Sequence, residues 1–229
     1  DVPTIQKMLI KKANLKGMPV ITATQMLLSM TQNERATRAE ISDVANAVLD
    51  GTDVVMLSEE SAVGEDPINV VDTMHNIIAK TEDIYNYDKQ YKFPYLDEFD
   101  VIQSTVTKLA DDLKANGILA LTSSGKSALK MSRYRPKTPI FTFTHKKKVL
   151  NSLTAVWGVE PIGTIKEAQA SKMFQKMLKA LDEKGLLNRN GLYVATVGYP
   201  IGMPGSTNTI KILTPSEIEY YLNFKEEEI

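Results

Sequence analysis

The sequence has no cysteine, so it carries no disulfide framework and no thiolate metal site. Its two histidines are isolated: His75 reads as lying on a helix flank and His145 in a loop, and neither suggests a metal ligand set. The single tryptophan, Trp157, reads as a packing residue. Neither sign of charge dominates, with 27 Lys and Arg against 28 Asp and Glu. That balance gives no support for a nucleic-acid partner or an anionic membrane surface. No apolar run approaches the roughly 20 residues that a membrane span requires. The opening residues Asp1-Val2-Pro3-Thr4 do not read as a signal peptide, and the expected location is the cytoplasm. What remains is 229 residues with a hydrophobic fraction of 43%, enough for one large domain or two of ordinary size.

The most ordered stretch is Gly17-Met18-Pro19-Val20-Ile21-Thr22-Ala23-Thr24-Gln25-Met26. Gly17 suits the position just past a helix, where glycine adopts a left-handed conformation cheaply. Val20, Ile21 and Thr22 are β-branched and mostly apolar, as in a parallel strand covered on both faces. The run ends on the polar groups of Thr22, Thr24 and Gln25. The grammar repeats at Thr52-Asp53-Val54-Val55-Met56-Leu57, which ends on Ser58, Glu59 and Glu60. Between the two runs, Thr37 and Glu40 have the spacing of a capping box and open a helix with Ile41, Val44, Ala45 and Val48 on one face. Strand, helix and strand in this order predict a βαβ unit, with Thr24 and Ser58 at the same end of neighbouring strands. In parallel α/β folds that end is where chemistry collects, although polar residues at strand ends are also ordinary loop chemistry.

Elsewhere the periodicities predict a helix over 2–16 and another opening at Pro67, whose apolar stripe is Val70, Val71, Met74, Ile77, Ile78 and Ile84. The stretch 86–96 breaks the pattern and reads as a linker between a first domain, 1–85, and a second, 97–213. In the second domain a helix over 97–116 turns Val101, Val106, Leu109, Ala110 and Leu113 inward. Strands follow at 118–122, 139–143, 159–162, 191–197 and 209–213, with helices over 126–134, 147–156 and 167–184. This is an open α/β layer sandwich of about five strands. Residues 214–229 read as a tail with a solvated, frayed end. The ten methionines read as filling core gaps.

The turn Leu121-Thr122-Ser123-Ser124-Gly125-Lys126-Ser127 has the composition of an anion cradle. A strand delivers hydroxyls, a glycine lets the backbone come close, a lysine adds charge and a helix N-terminus supplies free N–H groups. It nearly matches a nucleotide-binding P-loop, but Ala120 stands where the first glycine belongs and no acidic strand end follows to hold magnesium. A plain βα turn is the other reading. Lys146, Lys147 and Lys148 form a solvated charge run that lends positive field to an anionic ligand nearby.

The wording of Pro19-Val20-Ile21-Thr22-Ala23-Thr24-Gln25-Met26-Leu27, and of the run from Thr37 to Gly64, closely resembles the second half of the barrel of pyruvate kinases. The likeness extends to about Leu213, where the second domain resembles the carboxyl-terminal domain of that family. It implies the last two βα units of a (β/α)8 barrel followed by an effector-binding α/β domain. It also implies that Thr24 contacts phosphoenolpyruvate near the carbon to be protonated, that Ser58 belongs to the proton relay, and that Glu60 supports them from behind. The turn Thr122, Ser123, Ser124, Gly125, Lys126 and Ser127 becomes the phosphate site of an allosteric effector, with Gly202, Gly205 and Ser206 on a partner loop. The expected reaction transfers a phosphoryl group from phosphoenolpyruvate to ADP, giving pyruvate and ATP, and the expected assembly is a homotetramer.

The chain departs from the family at Glu59, where glycine is usual, at Ser61 for threonine, at Ala36 for proline and at Asp66 for tyrosine. Glu59 adds negative charge beside a site for anionic phosphates, where a like charge disfavours the anion. The family's essential lysine and its magnesium and potassium ligands would all precede Asp1, so no metal ligands are expected within this chain. A complete barrel takes about 250 residues and eight strands, of which two are found here. The expectation is therefore the carboxyl-terminal half of a longer polypeptide. The alternative is a non-catalytic module that binds a phosphorylated ligand.

Overall fold

The computed structural model describes residues 1–87, 92–167, 169–198 and 207–225. The chain divides into two compact units, Asp1–Lys89 and Gln90–Ile229.

Unit 1 begins with α1 (Val2–Lys16), which Gly17 ends in the left-handed conformation at φ 65°. Two short strands follow, β1 (Ile21–Thr22) and β2 (Val54–Val55), separated by α2 (Arg38–Asp50). The strands pair in parallel, Ile21 opposite Val54 and Thr22 opposite Val55, which bears out the βαβ reading. The capping box at the start of α2 is formed in full by Thr37 and Glu40. After the one-turn helix α3 (Glu59–Ala62), Asp66 caps α4 (Pro67–Glu82) by accepting from the N–H of Asn69.

The core of unit 1 is one-sided. Met26, Leu27 and Met30 from the β1 exit meet Val44 and Ala47 of α2 and Val70 and Met74 of α4. The expectation of a strand covered on both faces is corrected: β1 is two residues long and Ile21 is 55% exposed. Ile41, Val71 and Ile84, expected on inward stripes, are exposed as well, and Ala47 rather than Ala45 joins the core of α2. Ile84 lies beyond the end of α4 at Glu82, and for Ile41 and Val71 helical spacing marks a face without by itself supplying cover.

Unit 2 contains α5 (Glu98–Asp112), β3 (Gly117–Leu121), α6 (Lys126–Arg133), β4 (Ile140–Thr144), α7 (Lys147–Ser152), β5 (Val159–Thr164), α8 (Ala170–Glu183), β6 (Tyr193–Gly198), β7 (Thr207–Leu213) and α9 (Pro215–Leu222). The five strands form one sheet in the order β5-β4-β3-β6-β7, parallel except for β7. Both faces are covered. Leu119, Phe141, Phe143, Tyr193 and Ala195 pack with Met173, Met177 and Leu181 of α8. On the other face, Ile118, Ala120, Ile140 and Val194 pack with Val106 and Ala110 of α5 and Met131 of α6. The helix expected over 147–156 ends at Ser152 and tightens into a 3-10 turn over Leu153–Ala155.

Two further expectations change in unit 2. Val101 of α5 is exposed, whereas Gln103, Ser104 and Thr107 are buried. The stretch expected to be a tail forms α9, capped by Thr214 and Glu217, with Ile218 fully buried against the core that α8 covers.

Candidate functional site

Parallel pairing of β1 and β2 sends both strand exits to the same end, so the segments carrying Thr24 and Ser58 leave the sheet side by side. Glu60 joins the two exits. Its side chain is 1% exposed. Oε2 accepts from the N–H of Ser58 at 2.7 Å and Oε1 from the N–H of Leu27 at 3.2 Å. Burial pushes the Glu60 carboxyl up. The backbone N–H groups of Ser58, Glu60, Leu27 and Met26 outweigh that and hold it below the ordinary glutamate value. Glu60 is thus an anion held by backbone dipoles, which ties one strand exit to the other.

Between β1 and Leu27, Thr24 and Gln25 adopt left-handed backbone conformations at φ 72° and 55°. For a β-branched residue such as Thr24 this is a strained position. The Thr24 hydroxyl is exposed and donates to the carbonyl of Ala23 at 2.6 Å, leaving its oxygen lone pairs available. Thr22, by contrast, is engaged inside the strand pair, donating to Thr52 Oγ1 at 2.9 Å. Glu59 is exposed in the first turn of α3, and Ser61 Oγ lies 3.4 Å from the Ser58 carbonyl.

A second carboxylate reaches this exit from α2. Glu40 Oε1 accepts from the N–H of Ser29 at 2.7 Å, and Oε2 from Ser29 Oγ at 2.5 Å. The same Oε2 takes the N–H and the hydroxyl of Thr37, both at 2.8 Å. Burial raises the Glu40 carboxyl, but the donors on Ser29 and Thr37 prevail and lower it below its ordinary value. The sequence shows Glu40 only as a capping residue. Its grip on Ser29 depends on a tertiary approach that no local spacing reveals.

In unit 2, β3 delivers Thr122 to the turn before α6. The Thr122 hydroxyl accepts from the N–H of Gly125 at 3.0 Å, closing the turn. Gly125 sits at φ 85°, in the left-handed region that favours glycine, and a Cβ there would meet Leu153 at 3.4 Å. Ser123, Ser124 and Lys126 are partly or fully exposed around the free N–H groups of α6, and Ser127 is buried with its Oγ 3.3 Å from Thr207 Oγ1. The turn therefore combines hydroxyls, one lysine and a helix N-terminus in the chemistry of an oxyanion site. Lys146, Lys147 and Lys148 are exposed at the start of α7. Ala120 lies buried within β3, so the chain is sheet where a P-loop would already be turning. Gly202, Gly205 and Ser206 fall outside the described residues, although Thr207, which follows them, is brought to Ser127.

Two family models match: the barrel domain of pyruvate kinase over residues 1–71, and its alpha/beta domain over residues 100–213. The chain belongs to the pyruvate kinase family. A pyruvate kinase of Lactobacillus delbrueckii subsp. bulgaricus is 42% identical over 218 residues, covering 93% of this chain and 37% of the relative. One of Clostridium acetobutylicum is 43% identical over 215 residues, covering 92% and 46%. The crystal structure of a pyruvate kinase from Cryptosporidium parvum superposes with a TM-score of 0.82 at 34% identity, covering 91% of this chain and 42% of that one. The chain thus spans less than half the length of the relatives it matches. The fold is accordingly a fragment of the pyruvate kinase barrel followed by the family's α/β domain. Among the described residues no helix is long and apolar enough to cross a membrane.

Proposed function

We propose that this chain is the carboxyl-terminal part of a pyruvate kinase that moves the phosphoryl group of phosphoenolpyruvate to ADP. The bond between phosphorus and the enol oxygen breaks as a bond to the terminal oxygen of ADP forms. The enolate left behind takes a proton at carbon 3 to become pyruvate. In this reading the exposed Thr24 hydroxyl passes that proton, Ser58 extends the relay, and Glu60 keeps the two strand exits in register. The observation that carries it is the double grip of the buried Glu60 carboxylate on Ser58 and Leu27, which turns two separate strand ends into one site.

Magnesium and potassium belong to this reading as the family's ions, magnesium screening the phosphoryl charge. Among the described residues no group of three or more His, Asp or Glu side chains could hold a metal. The domain reading keeps residues 1–85 for the barrel, 86–96 for the linker and 97–213 for the effector-binding domain. A phosphorylated effector takes the turn Thr122 to Ser127, with Gly202, Gly205 and Ser206 completing it. A cytoplasmic homotetramer is the assembly this reading carries.

The test is Thr24→Val in the full-length parent enzyme. Loss of the hydroxyl lowers pyruvate formation by about a hundredfold, the scale of one positioned proton-transfer group, and leaves phosphate binding in unit 2 unchanged. Equal loss of turnover and phosphate binding would overturn the assignment. A second reading, a phosphate-ligand module without catalysis, is favoured by one observation: the sheet of unit 2 has cores on both faces. It predicts ligand binding by residues 97–213 alone and no turnover.

A further inference from the structure

Glu40 does more than a capping residue needs to do. A capping box asks one carboxylate to return to one backbone N–H. Glu40 makes that bond, to Thr37, and also takes the N–H and the hydroxyl of Ser29 at 2.7 and 2.5 Å. Ser29 lies in the 3-10 turn Leu28–Thr31, at the end of the segment that carries Thr24. Hydrogen bonds to an ionised carboxylate are roughly twice as strong as neutral ones.

The segment between β1 and that turn is held from two directions. Glu60 reaches Leu27 from the β2 exit, and Glu40 reaches Ser29 from α2. Just ahead of these anchors stand Thr24 and Gln25 in left-handed conformations. Strained backbone of this kind persists only where the surroundings over-determine it. Two buried or half-buried carboxylates supply that constraint, and only one of them, Glu60, lies on a strand exit.

We propose that Glu40 is a positioning residue for the Thr24 site, acting through Ser29 to hold the 24–29 segment in its strained form. The proposal rests on the reading that Thr24 serves the protonation of enolpyruvate. The helix cap of α2 and the placement of Thr24 are then one device: the carboxylate that starts the helix also sets the hydroxyl five residues before Ser29.

The experiment separates the two arms of Glu40 in the full-length parent enzyme. Ser29→Ala removes one donor to Glu40 and leaves the capping box intact, and Thr37→Ala weakens the capping box and leaves Ser29 held. Two readouts are followed: pyruvate formation, and exchange of the carbon-3 hydrogens of pyruvate with solvent, which is the protonation step run in reverse. Ser29→Ala lowers kcat and carbon-3 exchange together by about tenfold, within the range that small misplacements cost, with KM for ADP unchanged. Ser29→Thr, which keeps the hydroxyl, restores both, and Thr37→Ala lowers thermal stability with kcat retained. Amide hydrogen exchange over 24–29 quickens in Ser29→Ala. Full kcat in Ser29→Ala, or equal kcat losses in Ser29→Ala and Thr37→Ala, would reduce Glu40 to a cap and overturn the proposal. A wild-type enzyme that neither forms pyruvate nor exchanges its carbon-3 hydrogens would overturn the underlying reading of Thr24, and the positioning role with it.

Discussion

The central strands of unit 2 run through residues buried almost without a break, Gly117 to Ala120, Ile140 to Thr144 and Tyr193 to Val197, while the strands of unit 1 are two residues each and leave Ile21 55% exposed. A parallel sheet satisfies its backbone within itself but must bury both faces in side chains. Unit 2 meets that demand with α5 and α6 on one face and α8 and α9 on the other. Unit 1 has α2 and α4 on one side and leaves Met18, Ile21 and Met56 exposed along the strand pair and its flanks. The difference agrees with the coverage of the relatives: the α/β domain model matches 100–213, whereas two strands are a fraction of a barrel. Both proposed sites sit on turns after parallel strands, yet only the site in unit 2 stands on a sheet with cores on both faces.

The largest effect should come from separating the units. Residues 92–229 expressed alone should unfold in one cooperative thermal transition, and residues 1–89 alone should show none, because one apolar face of a two-stranded pair cannot offset the ordering entropy. Circular dichroism melts of the two segments check this. A cooperative transition in 1–89 would break the comparison.

The next effect tests how unit 2 is locked. Asp100 and Arg133 are both fully buried, with Asp100 Oδ2 accepting from Arg133 Nη1 at 2.6 Å. Arg133 Nη2 also donates to the Pro94 carbonyl at 2.8 Å, and Asp100 Oδ2 accepts from the N–H of Leu96 at 2.8 Å. The pair therefore pins the segment entering α5 to α6, whose other end follows the turn Thr122 to Gly125. Removing one partner strands a buried charge. Asp100→Ala should cost about 3–5 kcal/mol in a denaturant titration of unit 2. The protection of unit 1 amides should not change.

In unit 1 the corresponding lock is Glu60. Glu60→Ala leaves the N–H groups of Leu27 and Ser58 without their acceptor, at about 1–3 kcal/mol for each buried donor. The same carboxylate gives unit 1 a pH dependence. Its folded pKa is lowered, as is that of Glu40, from an ordinary value of 4.5. The stabilisation is therefore complete above 4.5 and is lost as pH falls through the lower folded values, where the native state must take up protons. In the full-length parent enzyme, unfolding midpoints measured by a unit 1 probe from pH 7 down to 3 should fall in that window, and the dependence should shrink in Glu60→Ala. A flat profile in wild type would remove Glu60 as a charged brace.

These features were unevenly legible in the sequence. Gly17, Pro67 and the Thr37–Glu40 spacing marked helix ends that the structure keeps, because capping is local chemistry. The turn at Thr122 to Ser127 was legible for the same reason: strand, glycine and helix start are neighbours in sequence. The grips of Glu60 on Leu27 and of Glu40 on Ser29 were not, since each spans a tertiary approach between elements. Burial was legible only where a partner element exists. Val101 has the right spacing yet is exposed and Ile84 falls beyond the end of α4, while Gln103 and Thr107 lie inside despite their polarity.

The smallest effect concerns the cap at the start of α9. Thr214-Pro215-Ser216-Glu217 carries a capping box with proline in the first turn, followed by Ile218, Tyr221 and Leu222 on one helical face. In the structure Glu217 Oε2 accepts from the N–H of Thr214 at 3.1 Å, and Lys211 of β7 pairs with the same carboxylate at 2.5 Å. Lys211 first, then the donors on Thr214, lower the Glu217 carboxyl against the opposing push of burial. Ile218, Tyr221 and Leu222 then lie against the α8 side of the sheet, so α9 is part of the cover that distinguishes unit 2 from unit 1. Thr214→Ala removes the cap and should cost about 1 kcal/mol, lowering the melting temperature of unit 2 by about 3 °C. Ile218→Ala, the larger control change that opens the core beneath the same helix, should cost about 2–5 kcal/mol. If neither change shifts the unit 2 transition, α9 is an appendage, and the second face of the sheet is sealed by α8 alone.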